Sequence, residues 1–210
     1  MTDRFAGHTG SILVVHSAAG HSGKTTLCRA LVRDLPFDVY IKLAHRASHA
    51  EVFSRAQGSL PPAQGDTGRI ADMQRQQGLS PLDDVLLVDG PRGDTDCVVA
   101  DLLASWPDHR RVLVEGNCSS LSWQSRFLYV LPCPLPPTAK PDMAQMTLRA
   151  DLVVVNRFPG CTTSKQTALL ALLRDVHPGV SQIAGSLQDA RVLEDIEAMV
   201  TILLPALAHS

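Results

Sequence analysis

A glycine-rich turn between an apolar run and an amphipathic stretch carries the residue types that bind phosphate groups. Residues 18–31 read AAGHSGKTTLCRAL and come after the apolar segment ILVVH. Small residues in such a turn let several backbone N–H groups converge on one anion, and the following helix directs its positive end at the same point. The pattern Ala18-x-x-x-x-Gly23-Lys24-Thr25 fits the Walker A motif, with alanine where glycine is commoner. We therefore expect a polyphosphate site here.

The residues of this turn have distinct expected roles. Lys24 is expected to reach the β- and γ-phosphates, and the Thr25 hydroxyl is expected to ligate Mg²⁺. A serine/glycine turn that only starts a helix is the alternative. The cofactors predicted from the motif are Mg²⁺ and ATP or GTP. The predicted nucleotide contacts in the turn are Ala19, Gly20, His21, Ser22, Gly23, Lys24, Thr25 and Thr26.

Acidic residues end two further apolar runs and are candidates for holding the metal. Glu115 and Asn117 lie at the end of RVLVEGN, and Asp89 ends VLLVD. Open α/β sheets bind ligands beyond the carboxyl ends of their strands, so an acid there fits the Walker B role. Glu115 and Asp89 are rivals for this role, although Glu115 could instead cap a turn. Both are predicted metal ligands with Thr25, and Glu115 is also a predicted catalytic residue with Lys24.

A second set of polar residues follows Asp89 in the segment GPRGDTD. Asp94 is the predicted catalytic acid of this set, positioned to orient a water molecule. The alternative is that Asp94 or Thr95 forms the N-cap of a helix that starts here. Both roles are compatible with each other.

Asn156 ends the apolar run LVVVN and is a predicted nucleotide contact. The run resembles the strand that reads guanine in GTPases, whose signature is Asn-Lys-x-Asp. Arg157 replaces the lysine and Pro159 the aspartate, so the sequence does not indicate guanine specificity. Asn156 could contact the base or could stabilise a loop through its amide.

Lys42, His45 and His49 lie in or just after the run VYIKLA. Burying an unpaired ammonium is costly, so Lys42 is expected to emerge beside phosphates or an acid. The two histidines have the i, i+4 spacing that places ligands on one helix face, with Cys118 or Cys133 as further candidate ligands. Solvated or core histidines are the favoured alternative to a metal site.

The pattern of apolar runs predicts the elements that must position these residues. The runs are nearly continuous rather than alternating, which is typical of strands in a parallel sheet covered on both faces. Helical stretches lie between them and predict a doubly wound α/β fold, with a mostly parallel sheet of about seven strands and helices on both faces. The predicted strands are 12–16, 39–44, 85–89, 111–116, 127–131, 152–156 and 182–187, and the predicted helices are 25–34, 96–105, 142–149, 162–175 and 189–200.

The chain length of 210 residues is enough for one sizeable core, so we expect a single domain spanning 1–210. The stretch 57–84 is polar and rich in glycine and proline, and it is too long for a plain connection. It is predicted to be a lid, a substrate loop or a small insertion. The segment 131–143 carries five prolines and must run as extended or turning chain.

Composition excludes several classes of function. Hydrophobic residues make up 45% and charged residues 19% of the chain, which is ordinary for a globular protein. A formal charge of −2 argues against nucleic acid or an anionic membrane as partner. No apolar run approaches the roughly 20 residues that span a bilayer, and the polar N-terminus predicts a cytoplasmic protein.

The five cysteines are widely spaced and form no Cys-x-x-Cys pair. This spacing argues against a disulfide framework or a zinc ribbon, and it predicts reduced thiols. The cysteines are Cys28, Cys97, Cys118, Cys133 and Cys161.

Four segments together resemble a known family: ILVVHSAAGHSGKTTL, YIKLAHRASH, VDGPRGDTD and RVLVEGN. They are similar to the MobB-type NTPases that serve molybdopterin guanine dinucleotide assembly, within the P-loop NTPase class that contains dethiobiotin synthetases and metallochaperone GTPases. The resemblance covers about residues 11–157. It implies an Mg²⁺-dependent NTPase that acts as an accessory protein in metal-cofactor assembly. Because no arginine finger can be assigned in the sequence, turnover is expected to be slow until a protein partner completes the site.

The resemblance also bears on individual residues. Gly93-Asp94-Thr95 resembles the element that senses the nucleotide in MobB-like proteins, and Lys140 resembles the lysine of a Lys-Pro element in related NTPases. Lys140 could equally be a solvated loop cation. Many relatives reach across a dimer with a second lysine in the phosphate loop. Ala19 occupies that position here. A homodimer is still expected, but not one in which a loop lysine reaches into the partner's site.

Two other functions remain open at the level of sequence. One is an ATP-dependent small-molecule kinase or ligase, with 57–84 forming the acceptor pocket. The other is a nucleotide-dependent binding module that does not hydrolyse its ligand.

Overall fold

Runs of Val, Leu and Ile form the central sheet, because extended backbone lets these side chains pack on both of its faces. The computed structural model describes residues 12–60, 82–107, 110–116 and 125–205. Within these ranges the sheet has eight strands. They are β1 (Ile12–Ser17), β2 (Val39–Ala44), β3 (Glu51–Ser54), β4 (Asp84–Asp89), β5 (Val112–Glu115), β6 (Arg126–Cys133), β7 (Leu152–Arg157) and β8 (Ser181–Gly185).

The strands are arranged in the order β3-β4-β2-β5-β1-β6-β7-β8, and all neighbouring pairs except β3–β4 are parallel. Each of the seven predicted strands is present, which confirms the α/β prediction. The additional strand, β3, pairs antiparallel with β4 at the edge of the sheet. Its four residues are too few to show a periodic pattern in the sequence.

Helices cover both faces of the sheet. Apolar residues at alternating positions of β1 show the division: Leu13 and Val15 pack with two of the helices, and Ile12 and Val14 pack with the other three. The first pair of helices is α1 (Lys24–Asp34) and α5 (Ala190–Leu203), and the other three are α2 (Arg92–Ser105), α3 (Met143–Leu148) and α4 (Thr163–Val176).

The parallel register brings the carboxyl ends of the central strands together. Val15 of β1 pairs with Glu115 of β5, and Lys42 of β2 pairs with the same glutamate from the other side. The loop that follows β1 leads directly into α1. The glycine-rich loop, an acid and a lysine therefore lie together at the carboxyl ends of the central strands.

Helix α2 begins earlier than the sequence predicted. Its N-cap is Pro91, Asp94 lies in the first turn, and Thr95 Oγ1 donates a hydrogen bond to the Arg92 carbonyl at 3.0 Å. The alternative in which Asp94 or Thr95 forms the N-cap is therefore wrong. The helix starts at Arg92 because Pro91 supplies a fixed φ that suits a helix start. The polar residues that follow Pro91 hide the helical pattern in the sequence.

The prediction of reduced thiols is wrong for two cysteines. Cys133 at the end of β6 and Cys161 in the loop before α4 form a disulfide, with their Cα atoms 5.4 Å apart. They are 28 residues apart in sequence, but β6 and β7 are neighbours, so the loop that follows β7 lies beside the end of β6. Cys28 and Cys97 are free thiols, and Cys118 lies outside the described residues.

Most of the predicted insertion at 57–84 lies outside the described residues, which resume at Leu82 after position 60. Among the helices that the structure describes, none combines the length and the hydropathy that crossing a bilayer requires.

Candidate functional site

The loop between β1 and α1 has the backbone conformation of an anion-binding turn. Gly23 adopts a left-handed conformation with φ of 97°, and His21 has φ of 54°. Gly23 is the N-cap of α1 and provides no side-chain hydrogen bond to the helix. The first-turn N–H groups of a helix need a partner, so this end of α1 is suited to a negatively charged ligand.

A cavity of about 550 Å³ opens at this end of α1. Ser22 is 1% exposed, and its hydroxyl has no hydrogen-bond partner among the described residues. A buried hydroxyl without a partner is costly, so its presence here indicates a ligand that supplies one. The cavity is lined by Gly20, His21, Ser22, Gly23, Lys24, Thr25, Thr26, Lys42, Leu43, His45, Glu115, Gly116 and Phe158.

Lys24 extends back over the end of β1. Its ammonium donates to the Ser17 hydroxyl at 2.9 Å, and that hydroxyl donates to the Ala19 carbonyl at 2.8 Å. Seven of the eight predicted contacts in the turn line the cavity. Ala19 does not, because it is buried with its carbonyl turned toward Ser17.

Glu115 is the acid that the fold brings to the phosphate loop. The Thr25 hydroxyl donates to Glu115 Oε1 at 2.7 Å, and the Tyr40 hydroxyl donates to Oε2 at 2.5 Å. Lys42 forms an ion pair with Oε1 at 3.1 Å and lies 3.3 Å from Thr25 Oγ1. Glu115 is 2% exposed, and these partners offset the cost of burying its charge. The expectation that Lys42 emerges beside an acid is confirmed.

Asp89 binds the segment that follows β2 rather than the loop before α1. Its Oδ1 accepts hydrogen bonds from the Arg46 amide at 2.8 Å and the Ala47 amide at 3.2 Å, and Arg46 also pairs with its Oδ2. Burial alone would raise the pKa of Asp89, but these hydrogen bonds and the Arg46 charge hold it below its ordinary value. Asp89 does not line the cavity, so of the two rival acids the structure brings only Glu115 to Thr25.

Asn156 links the loop before α1 to the segment that follows β8 through two hydrogen bonds. Its amide nitrogen donates to the Ser22 carbonyl at 3.0 Å, and its oxygen accepts from the Leu187 amide at 3.1 Å. The side chain is 4% exposed. These contacts match the loop-stabilising alternative, and a contact with a base stays a prediction.

The remaining sequence candidates lie apart from one another. Asp94 is exposed and does not line the cavity. His45 Nδ1 lies 3.1 Å from the Gly90 carbonyl, whereas His49 pairs with Glu51 at 2.7 Å. The described part of the chain contains no group of three or more His, Cys, Asp or Glu side chains that could hold a metal ion. Cys133 is in the disulfide, so it is not available as a thiolate ligand.

Lys140 binds the end of β1 and does not line the cavity. Its ammonium donates to the Ser17 carbonyl at 2.8 Å, and its amide donates to the Ala18 carbonyl at 2.8 Å. Burial, followed by the charge of Lys24, lowers the pKa of Lys140 to about 8. The solvated-cation alternative is therefore wrong, because the side chain is held against the start of the phosphate loop.

Four residues at the site were not singled out by the sequence, namely Tyr40, Leu43, Gly116 and Phe158. Tyr40 contacts Glu115 and Phe158 lines the cavity. Tyr40 lies in an apolar strand, where an aromatic residue is most often part of the core. In the sequence, the signal that could have pointed to Phe158 was its position two residues after the candidate Asn156.

His16 is a buried histidine of β1 whose pKa is strongly lowered. It is 2% exposed, and burial lowers its pKa from an ordinary 6.5 to about 3. Nearby cations lower the pKa further in the same direction, and they are Lys140, Lys24, Arg92 and Arg149.

We expect His16 to make the protein sensitive to acid. Between pH 6.5 and 3 the unfolded chain binds a proton at His16 that the folded chain excludes, so the free energy of unfolding falls as the pH falls. The slope contributed by this residue approaches about 1.4 kcal/mol per pH unit. Urea unfolding of wild type and His16→Phe across this range should show a flatter dependence in the variant. His49→Gln, at an exposed histidine, should keep the wild-type dependence; equal slopes for wild type and His16→Phe would contradict the prediction.

Solved structures share this fold at low sequence identity. The hydrogenase maturation factor HypB from Archaeoglobus fulgidus is 13% identical, covers 96% of this chain and 94% of its own, and has a TM-score of 0.57. An ATP complex of a McdA variant from Cyanothece is 14% identical, with 97% and 98% covered and a TM-score of 0.50. No protein-family model matches the chain, and no curated protein does either. The likeness shows a shared α/β fold.

Proposed function

We propose that this protein binds a nucleoside triphosphate with Mg²⁺ and hydrolyses it. The observation that carries the proposal is the buried Ser22 hydroxyl, which lacks a partner among the described residues beside a cavity at the start of α1. The left-handed Gly23 and the uncapped helix end surround the same space. A polyphosphate chain supplies the acceptors and the negative charge that these groups need. ATP in the McdA complex is consistent with this ligand class.

The residues of the site divide the work of binding and hydrolysis. Lys24 and the N–H groups at the start of α1 hold the phosphates and stabilise the charge that builds up on the transferred phosphoryl group. Thr25 and Glu115 supply the oxygen ligands that suit Mg²⁺, and their hydrogen bond at 2.7 Å supports this assignment. When bound, Mg²⁺ neutralises phosphate charge. The water-orienting role predicted for Asp94 stays a prediction, since Asp94 does not line the cavity.

The proposal is tested by calorimetry on the wild-type chain. ATP, GTP, ADP and GDP are titrated with and without Mg²⁺, and phosphate release is then followed for the two triphosphates. We expect Mg²⁺-dependent binding of at least one nucleotide and slow release. Absence of binding for all four nucleotides would overturn the proposal, and binding without any release would favour the non-hydrolysing module.

Lys42 is expected to compete with the metal. Its ammonium lies 3.1 Å from Glu115 Oε1 and 3.3 Å from Thr25 Oγ1, so a single cation already serves both proposed Mg²⁺ ligands. In Lys42→Met this substitute is lost, and Mg²⁺ should become more important for nucleotide binding. The ratio of ADP dissociation constants without and with Mg²⁺ should rise about tenfold, equivalent to about 1.4 kcal/mol.

Calorimetry with ADP measures this ratio directly. Lys165→Met is the matched control, because Lys165 is exposed on α4 and distant in sequence from the loop. A ratio that is the same in Lys42→Met and wild type would show that Lys42 does not act on the metal.

We further propose an accessory role in metal-cofactor assembly, in which a protein partner accelerates hydrolysis. This rests on the sequence resemblance to MobB-type NTPases, and the fold shared with a hydrogenase maturation factor is consistent with it. Phosphate release that depends strictly on an added small metabolite, and not on a protein, would favour the kinase or ligase alternative. Homodimer formation is part of the proposal and is tested by sedimentation with and without nucleotide.

A further inference from the structure

A second group of buried polar side chains lies on the opposite face of β1 from α1. His16 follows Ile12 and Val14 at alternating positions, so it points to the face that α2, α3 and α4 cover. Its ring packs against Phe127 and Tyr129, with centroid distances of 5.4 and 6.0 Å. Neither ring nitrogen has a hydrogen-bond partner in the described part of the chain.

Two neighbouring side chains have the same deficiency. Tyr129 is fully buried, and its hydroxyl has no partner among the residues that the structure describes. The charge of Asp142 acts on Tyr129, and its buried Oδ1 also has no hydrogen-bond partner among the described residues. Leaving such a buried group without a partner destabilises the folded state. His16 and Tyr129 are two such groups whose ring centroids are 6.0 Å apart, and buried polar groups of this kind normally have a polar partner, here a ligand or a buried water.

The charges around this group favour an anion. The Lys140 ammonium lies on the Ser17 carbonyl, and Lys24 lies on the Ser17 hydroxyl. Arg92 and Arg149 also act on the His16 ring as positive charges. Asp142 is an acid whose negative charge acts on Tyr129 and on Lys140.

We infer that His16, Tyr129, Lys140 and Asp142 form a binding site for a small carboxylate that also carries a hydroxyl group. The Lys140 ammonium binds the carboxylate, and the His16 and Tyr129 N–H and O–H groups donate to it. Asp142 Oδ1 accepts from the ligand hydroxyl. The site is separate from the phosphate cavity, since none of these four residues lines that cavity.

The protonation states of the two basic residues agree with this assignment. With a pKa of about 3, His16 is neutral at pH 7 and has one donor and one acceptor nitrogen. Burial lowers the pKa of Lys140 to about 8, so its ammonium gains from an added negative charge. Binding of a carboxylate is therefore expected to raise both pKa values.

Ser17 connects the two sites, because its hydroxyl accepts from Lys24 and its carbonyl accepts from Lys140. An effect of the carboxylate on nucleotide binding rests on the proposed function. Binding of the carboxylate itself does not, so it is tested on the full chain without nucleotide and without Mg²⁺.

The test follows the His16 ring by NMR with ¹⁵N-labelled histidine. Glycolate is titrated as the hydroxycarboxylate probe, with acetate as the probe that lacks the hydroxyl. We expect saturable shifts of both His16 ring nitrogens, a rise in the His16 pKa, and binding of glycolate at least fivefold tighter than acetate. No shift of His16 with either probe would overturn the inference and leave buried water as the partner of these groups.

Two variants separate a ligand site from a structural role. Tyr129→Phe removes an unsatisfied hydroxyl, so its thermal stability should be unchanged or higher, while its glycolate affinity should fall about tenfold. Lys140→Met should lose affinity to a similar extent, and Lys165→Met should bind as wild type. Wild-type affinity in both Tyr129→Phe and Lys140→Met would refute the site.

Discussion

Lys24→Ala is expected to lose at least a hundredfold in nucleotide affinity, which corresponds to about 2.7 kcal/mol. The lysine ammonium lines the cavity at the start of α1 and is the cation of the loop itself. Without it, the phosphates retain the backbone N–H groups but lose the charge that offsets their desolvation. Calorimetry with ADP and ATP in the presence of Mg²⁺ measures the loss.

The folded state should survive this substitution. Ser17, which accepts from Lys24, also donates to the Ala19 carbonyl, so its hydroxyl keeps a partner. Thermal unfolding should therefore remain cooperative in Lys24→Ala. Lys165→Ala, at an exposed lysine on α4, is the control and should bind as wild type. Equal affinity of Lys24→Ala and wild type would remove the basis for a phosphate site in this loop.

Gly23→Ala should disrupt both the loop and its function. An added Cβ would lie 2.5 Å from Asn156 Nδ2 and 2.9 Å from Leu187 Cδ1, and Gly23 has φ of 97°, which L side chains rarely adopt. The Asn156 amide is fixed by Ser22 and Leu187, so it cannot move without losing a buried hydrogen bond. We expect the free energy of unfolding to fall by about 2 kcal/mol.

Nucleotide binding should be lost in the same variant, because the first turn of α1 and the Ser22 hydroxyl are displaced together. Denaturant unfolding and calorimetry test the two effects separately. Gly179→Ala is the control, since nothing lies within 4 Å of its added Cβ and its φ needs no glycine. A Gly23→Ala protein with wild-type stability and affinity would contradict the described loop conformation.

The secondary structure could be predicted closely because its signals are local. All seven predicted strands and all five predicted helices occur, since continuous apolar runs and helical spacing are properties of neighbouring residues. The phosphate loop is equally local: Gly23, Lys24 and Thr25 are contiguous with the strand and helix that position them. The edge strand β3 escaped prediction because four residues carry too little pattern.

The composition of the site depended on contacts between distant segments. Glu115 and Asp89 both end buried strands, and the sequence left them as rivals. The sheet order places β5 beside β1, so Glu115 contacts Thr25, whereas Asp89 ends β4 and binds Arg46. Strand order is set by the packing of the whole sheet, which no short segment encodes.

The sequence by itself therefore determined that this chain forms an α/β sheet with a glycine-rich loop at the start of its first helix. Only the tertiary structure decided that Glu115 contacts Thr25 of that loop, that Cys133 pairs with Cys161, and that the buried rings of His16 and Tyr129 pack together. The physical reason is the range of the interactions. Backbone conformation and hydrophobic period are fixed within a few residues, whereas a buried charge or hydroxyl takes its partners from strands that meet only in the folded chain.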